Sequence, residues 1–259
     1  MGIPVAGGAV SGEVNGALVP AVIAGVVTML ATGLGAIPVL FTRHVPEKVL
    51  GAGFAVAGGM MVAVSFLDLI APGVANGEAG QLAVGFLLGA FFFWLADSRL
   101  EGRDLEFAGL SGAGARKALL ILATMFVHSF PEGVAVGVGY GSGDTELGIF
   151  IALAIAIHNI PEGLAISLPM AASGVGFWRC FGFAVLSSLP QPIAVVPAVL
   201  LVEWSRRLLP YGLGFAAGAM IYLVLAELIP ETLARSGKHG AAWGFTIGLV
   251  AMILAQYAL

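Results

Sequence analysis

Apolar residues fill long unbroken stretches of this chain, and polar residues gather between them. Crossing a bilayer as a helix takes about 20 mostly apolar residues. Eight stretches qualify, roughly 18–42, 51–72, 81–97, 117–138, 148–171, 179–202, 211–231 and 241–259. Between them lie RHVPEK, PGVANGE, DSRLEGRDLEFAGLSGAGAR, GYGSGDTE, EWSRRLLP and RSGKHG. Most of these connectors are short, as connections in helical bundles are. The pattern predicts an all-α polytopic membrane protein, with one transmembrane domain over residues 1–259 and no second, soluble domain.

Composition agrees with that pattern. Of 259 residues, 59% are hydrophobic and 10% charged, and the mean hydropathy is +1.02. A soluble domain carries roughly 25% charged residues. The 38 glycines suit close packing between membrane helices. A net charge of −4 without a basic patch excludes nucleic acid as a partner and leaves the lipid bilayer as the surroundings. The single cysteine, Cys180, permits neither an internal disulfide nor a cysteine metal cluster. The first 17 residues hold no Lys or Arg, unlike a signal-peptide start, and are expected to form a short tail outside the membrane. Arg43, Lys48, Arg99, Arg103, Arg116, Lys117, Arg179, Arg235 and Lys238 fall in alternate connectors, on one side; only Arg206 and Arg207 fall on the other. The positive-inside bias puts the larger set in the cytoplasm and both termini on the extracytoplasmic side of a cell membrane.

Two apolar stretches carry the same polar insertion. HSFPEGVAVGV begins at His128 and HNIPEGLAISL at His158, with His128, Pro131, Glu132 and Gly133 in register with His158, Pro161, Glu162 and Gly163. One short connector separates the two helices, so they run antiparallel, and each His falls near mid-membrane. Antiparallel copies of one motif are an inverted repeat, the arrangement that builds transporter sites at the bilayer midplane. A fainter pair supports it: AGGMMVAVSFLDLI (57–70) resembles AAGAMIYLVLAELI (216–229). Helices 1–3 therefore mirror 6–8 about the central pair.

Residues i and i+4 share a helix face, so His128 lies over Glu132 and His158 over Glu162. Facing each other, the two helices converge two imidazoles and two carboxylates. That set suits a divalent transition metal, most readily Zn²⁺, held by nitrogen and oxygen at about 2.0–2.2 Å. It also accepts Cd²⁺, Fe²⁺, Mn²⁺ and Co²⁺. Pro131 and Pro161 deprive the carbonyls of Val127 and Ile157 of their helical donors, which predicts a kink in each helix. Ser129 and Asn159, next to each His, add weak oxygen ligands. Buried carboxylates are costly in a membrane, which weighs against a purely structural role for the pair. Asp68 and Glu227 sit near helix ends, where an interfacial residue is ordinary; Asp68 is a candidate first stop for a metal on its way in. His44 and His239 fall in polar connectors and are expected to be solvated, and Met60, Met61, Met125 and Met220 to fill the core. Two other readings stay open: a membrane-embedded metal-dependent hydrolase, although neither HExxH nor a nucleophile elbow is present, and a metal-binding membrane protein without transport.

HSFPEG and HNIPEG resemble the paired signatures of the fourth and fifth helices of the Zrt/Irt-like (ZIP) metal transporters, in the prokaryotic group with the GufA-like and ZupT-like proteins. GFLLGAFFFWLAD (85–97) and GFAAGAMIYLVLAELIPE (214–231) are similar to that family's third and seventh helices. The resemblance implies eight helices in a 3+2+3 arrangement, termini outside, passage of zinc or related divalent ions toward the cytoplasm, and a homodimer. It implies His128, Glu132, His158 and Glu162 as the primary metal ligands. Alternating access is then expected from movement of helices 1–3 and 6–8 relative to the central pair. Departures from the family pattern are Ser129 for an expected Asn, Asn159 at a position acidic in some members, and Gln191 in SSLPQP where binuclear members carry a glutamate. Each removes charge or ligand strength around a second site, so the resemblance implies one strong site and a weak or vestigial second. Residues 98–116 hold no His, unlike the family's metal-collecting loop.

Overall fold

The computed structural model describes residues 9–41, 46–75, 79–100, 113–172 and 174–258. Residues 1–8 of the expected tail, Arg43, His44 and most of the connector before the fourth predicted helix lie outside the described residues. The described chain is nearly all helical: α1 (Ala9–Leu34), α2 (Glu47–Val64), α3 (Ala71–Ala75), α4 (Ala79–Leu100), α5 (Ala113–Gly141), α6 (Thr145–Ala172), α7 (Phe177–Ser187), α8 (Pro190–Trp204), α9 (Leu209–Leu223) and α10 (Ile229–Ala258). Six stretches among the described residues are long and apolar enough to cross a membrane: Gly16–Leu40, Glu47–Ala75, Ala79–Ala96, Thr145–Leu168, Phe177–Trp204 and Arg206–Tyr257.

Helix ends and interruptions follow local chemistry. α1 begins at Ala9, so the polar SGEVNG is already helical where a tail was expected. The stretch expected as one helix over 179–202 is two, with Ser188 non-helical (φ −97°, ψ 7°) between α7 and α8. Pro190 opens α8 at its first position, where a missing N–H costs nothing. RSGKHG, expected as a connector, is helical except at Gly237 (φ 69°, ψ 174°). There the chain doubles back. Before the break, Gly51 lies beside Arg235 and Gly58 beside Leu228; after it, Ala55 lies beside Gly244 and Gly59 beside Phe245. α5 and α6 remain helical through Pro131 and Pro161.

Two segments widen into π-helix, Ser65–Ile70 between α2 and α3 and Val224–Leu228 between α9 and α10. They fall in the two sequences that mirror each other, and each contains its acidic residue, Asp68 or Glu227. Packing repeats the mirror. α2 runs along α10 and α4 along α9, while α1 packs on α6 and α5 on α8. The first contact closes on Gly59 against the Phe245 carbonyl and the second on Gly218 against the Phe86 carbonyl, the matched glycines of the repeat. A side chain at either would strike backbone, so small residues let these helices approach. The result is two layers: α1, α5, α6, α7 and α8 in one, and α2, α4, α9 and α10 in the other. They meet where α5 touches α9 and α6 touches α2.

Candidate metal centre

The HxxPEG helices α5 and α6 are joined by the turn at residues 142–144 and lie antiparallel against each other. Their glycines set the distance to the flanking helices. A methyl on Gly163 would overlap the Thr32 carbonyl of α1, and one on Gly133 would overlap the Gln191 carbonyl of α8. The motif glycines thus press each central helix onto its neighbour, which seals the polar residues beside them from lipid.

His128, Glu132 and His158 are fully buried and Glu162 is 3% exposed. His128 Nε2 lies 3.0 Å from Glu162 Oε1 and 3.3 Å from Glu132 Oε1, and His158 Nε2 lies 2.7 Å from Glu132 Oε1. Each imidazole therefore meets the carboxylate of the opposite helix. His128, Glu132 and Glu162 each offer a ligand atom within 4.8 Å of the others, and His158 joins them through Glu132. Four donors around a zinc ion at about 2.0–2.2 Å sit roughly 3.3–3.6 Å apart in a tetrahedron. The three observed contacts lie at or below the short end of that range, while His158 lies outside the close trio of His128, Glu132 and Glu162, so four-donor binding needs the trio to part and His158 to move in. The Nδ1 atoms of both imidazoles are buried without a hydrogen-bond partner among the described residues.

A neutral network surrounds this cluster. Asn159 Nδ2 donates to the Thr28 carbonyl at 2.9 Å and to Gln191 Oε1 at 3.3 Å, and Gln191 Nε2 donates to Glu132 Oε2. Ser129 Oγ donates to the Met125 carbonyl at 3.0 Å and lies 3.5 Å from Ser188 Oγ, which is hydrogen-bonded to Thr32 Oγ1 at 2.7 Å. Ser129 therefore turns to its own backbone, while Asn159 and Gln191 bind each other beside the cluster. Thr28, Thr32 and Ser188 carried no sequence signal, because single hydroxyls are common in membrane helices. Asp68 stands outside the cluster, half-buried in its π turn, and accepts a hydrogen bond from Gln256 of α10. His239 is exposed, while Met61, Met125 and Met220 are buried in the core.

Mirrored apolar helices around a sealed cluster of imidazoles and carboxylates define a polytopic membrane protein built around a cation-sized polar centre. The ZIP Zinc transporter family model matches residues 107–256. The chain belongs to that family, whose members are transporters and not enzymes. It is 36% identical over 236 residues to the zinc transporter GufA of Myxococcus xanthus, covering 85% of this chain and 92% of that one. It is 33% identical over 257 residues to the zinc transporter ZIPB of Bordetella bronchiseptica, covering 92% and 81%. An Arabidopsis thaliana protein, whose name gives zinc transport as a provisional role, is 39% identical over 224 residues; they cover 86% of this chain and only 36% of that longer protein.

Proposed function

We propose that the protein carries zinc across a cell membrane toward the cytoplasm, holding one ion between α5 and α6 on His128, Glu132, His158 and Glu162. The observation that carries this reading is the cross-pairing of His128 with Glu162 and of His158 with Glu132 in a sealed interior. Two buried carboxylates are costly there unless a cation pairs with them, and together they neutralise one divalent ion. Family membership and the names of the relatives support zinc as the cargo. Cd²⁺, Fe²⁺, Mn²⁺ and Co²⁺ fit the same donors. Asp68, in its widened turn, receives the ion before it reaches the cluster. Asn159, Gln191 and Ser129 contribute hydrogen bonds around the site and no charge.

The chain crosses the membrane eight times in a 3+2+3 order. Arg206–Tyr257 spans 52 residues, too long for one crossing of about 30 Å at about 1.5 Å per residue, and it doubles back at Gly237. Counting it twice and adding α5 gives eight, with both termini extracytoplasmic on the positive-inside bias. The working unit is a homodimer, as the resemblance to the family implies. The movement that alternates access runs between the two layers, and not between the central pair and all the rest. α5 and α6 are each bound to a flanking helix in their own layer, whereas the seam between layers holds apolar cavities of about 330 Å³, beside Phe130, Val134 and Phe215, and about 290 Å³, beside Gly53, Val56 and Pro161.

Zinc uptake into proteoliposomes tests the site. The wild type is expected to accumulate zinc, and His158→Ala and Glu162→Ala to lose uptake. Uptake unchanged in both variants would remove the site assignment, and zinc binding without flux would leave a binding protein.

A further inference from the structure

The two limbs of α10 on either side of Gly237 leave a cavity of about 430 Å³ between them, lined also by Phe54 and Gly58 of α2. Leu233, Ala242 and Thr246 border it and are exposed, so it opens sideways onto the space that lipid fills. Its walls are mostly apolar and exclude water, and its size is that of a ligand pocket. The polar groups it does have are ordered by depth. Lys238 follows the reversal directly and is exposed. Thr232 lies five residues before Gly237 and Leu228 nine, which puts them roughly 8 and 14 Å along the limb. Half of a bilayer's hydrocarbon core is about 15 Å.

Lys238 and Thr232 both lack a polar partner among the described residues. The nearby carboxylates are taken, since Arg235 pairs with both Glu231 and Glu47 while lying over the Phe54 ring at 5.7 Å. Lys238 is left without an anion. The Thr246 hydroxyl donates to the Ala242 carbonyl at 2.8 Å, whereas Thr232, 2% exposed, keeps a buried hydroxyl with nothing to bond. Threonine in a helix has two rotamers open to it, so that hydroxyl is free to turn.

We infer that this wedge binds one anionic phospholipid, with an acyl chain between the limbs of α10, an ester carbonyl at Thr232 and the phosphate on Lys238. A phospholipid carries charge, ester and chain in that order, which is the order the cavity presents. Basic pockets between membrane helices hold lipid headgroups in this way. A free phosphate would satisfy Lys238 and leave the apolar walls uncovered. The inference rests on the crossing order proposed above, which sets Gly237 at a membrane face, and not on the zinc site.

Native mass spectrometry of the purified full chain in detergent counts bound lipid, with dioleoyl phosphatidylglycerol and dioleoyl phosphatidylcholine titrated separately and a melting curve for each variant. Expected is one saturable phosphatidylglycerol per chain, bound about fivefold tighter than phosphatidylcholine, the contribution of one lysine near a membrane surface. Lys238→Gln should erase that preference and Lys238→Arg should keep it. Ala242→Phe should fill the wedge and lose the saturable site for both lipids. Equal affinity for the two lipids in the wild type, a preference that survives in Lys238→Gln, or undiminished binding to folded Ala242→Phe would each overturn the inference. So would displacement of the lipid by inorganic phosphate, which would make Lys238 the seat of a free anion, or loss of a dimer in Ala242→Phe, which would give the wedge to a second copy of the chain. Should Ala242→Phe not fold, the two Lys238 variants decide. His239→Cys, labelled in vesicles with a membrane-impermeant maleimide, reads the crossing order separately. Labelling from one face is expected; labelling from neither would overturn that order, and this inference with it.

Discussion

Replacing Gly163 by alanine adds one methyl at the contact between α6 and α1, and the structure determines what that methyl meets. It would fall well inside the van der Waals envelope of the Thr32 carbonyl, with the Gly35 backbone just behind. Neither is the end of a flexible side chain, so the two helices must separate by about 1 Å or more to restore ordinary contact. One turn away, the 2.9 Å bond from Asn159 to the Thr28 carbonyl spans the same gap and would be lost. Overpacking costs about 1–3 kcal/mol and a lost hydrogen bond about 1 kcal/mol. The better helix propensity of alanine returns about 1 kcal/mol. The net is a loss of about 2 kcal/mol, or roughly 4–8 °C in Tm for a chain of this size. Zinc affinity should fall too, because Glu162 precedes the substituted residue and metal–ligand distances tolerate only about 0.2 Å. Gly182→Ala is the control, since a methyl there meets nothing within 4 Å among the described residues. Thermal unfolding in detergent, with and without zinc, reads both effects. A Gly163→Ala protein as stable as Gly182→Ala, with unchanged zinc affinity, would refute the close-approach argument.

The remaining predictions concern the chain reversal and protons. Among the described residues nothing lies in the way of a methyl at Gly237, yet φ 69° with ψ 174° is a conformation essentially reserved for glycine, so Gly237→Ala is strained. It should cost about 1–3 kcal/mol from backbone strain alone, read as a lower midpoint in thermal unfolding; an unchanged midpoint would mean the reversal does not need that geometry. Acidification should weaken zinc binding. The imidazoles and carboxylates that would hold the ion lie within hydrogen-bond distance of one another, and an imidazole or carboxyl group binds a metal only in its deprotonated form, so protons compete with the ion. Kd measured between about pH 7.5 and 5.5 should rise steadily as the pH falls. A flat profile would place the ion on other groups.

Much of the centre could be read from its letters. Two copies of HxxPEG separated by a short connector were enough to bring His128, Glu132, His158 and Glu162 into one interior, because helical spacing and antiparallel pairing leave few alternatives. Spacing within one helix pairs His128 with Glu132. It says nothing of the shorter contact from His128 to Glu162, which depends on how α5 and α6 cross. The hydroxyls of Thr32 and Ser188 carried no pattern, and they meet only because the chain breaks before Pro190. The mirrored stretches around Asp68 and Glu227 were visible as a repeat, but the extra width of each turn was not, since Ala, Val and Leu suit α- and π-helix alike. The separation into two layers followed from which glycines touch which backbone, information that residue order alone does not contain.

Those two widened turns have a consequence for how length changes are tolerated. A π turn carries a residue more than its α counterpart, so each holds slack in an otherwise taut rod. Removing one residue within Ser65–Ile70 or Val224–Leu228 would let the turn close to ordinary helix, and the faces on either side would keep their partners. The same deletion in α4 or α8 has no reserve to draw on and would swing every later side chain about 100° around the axis. The two acidic residues, Asp68 and Glu227, thus ride on the two places where these rods can shorten without unwinding.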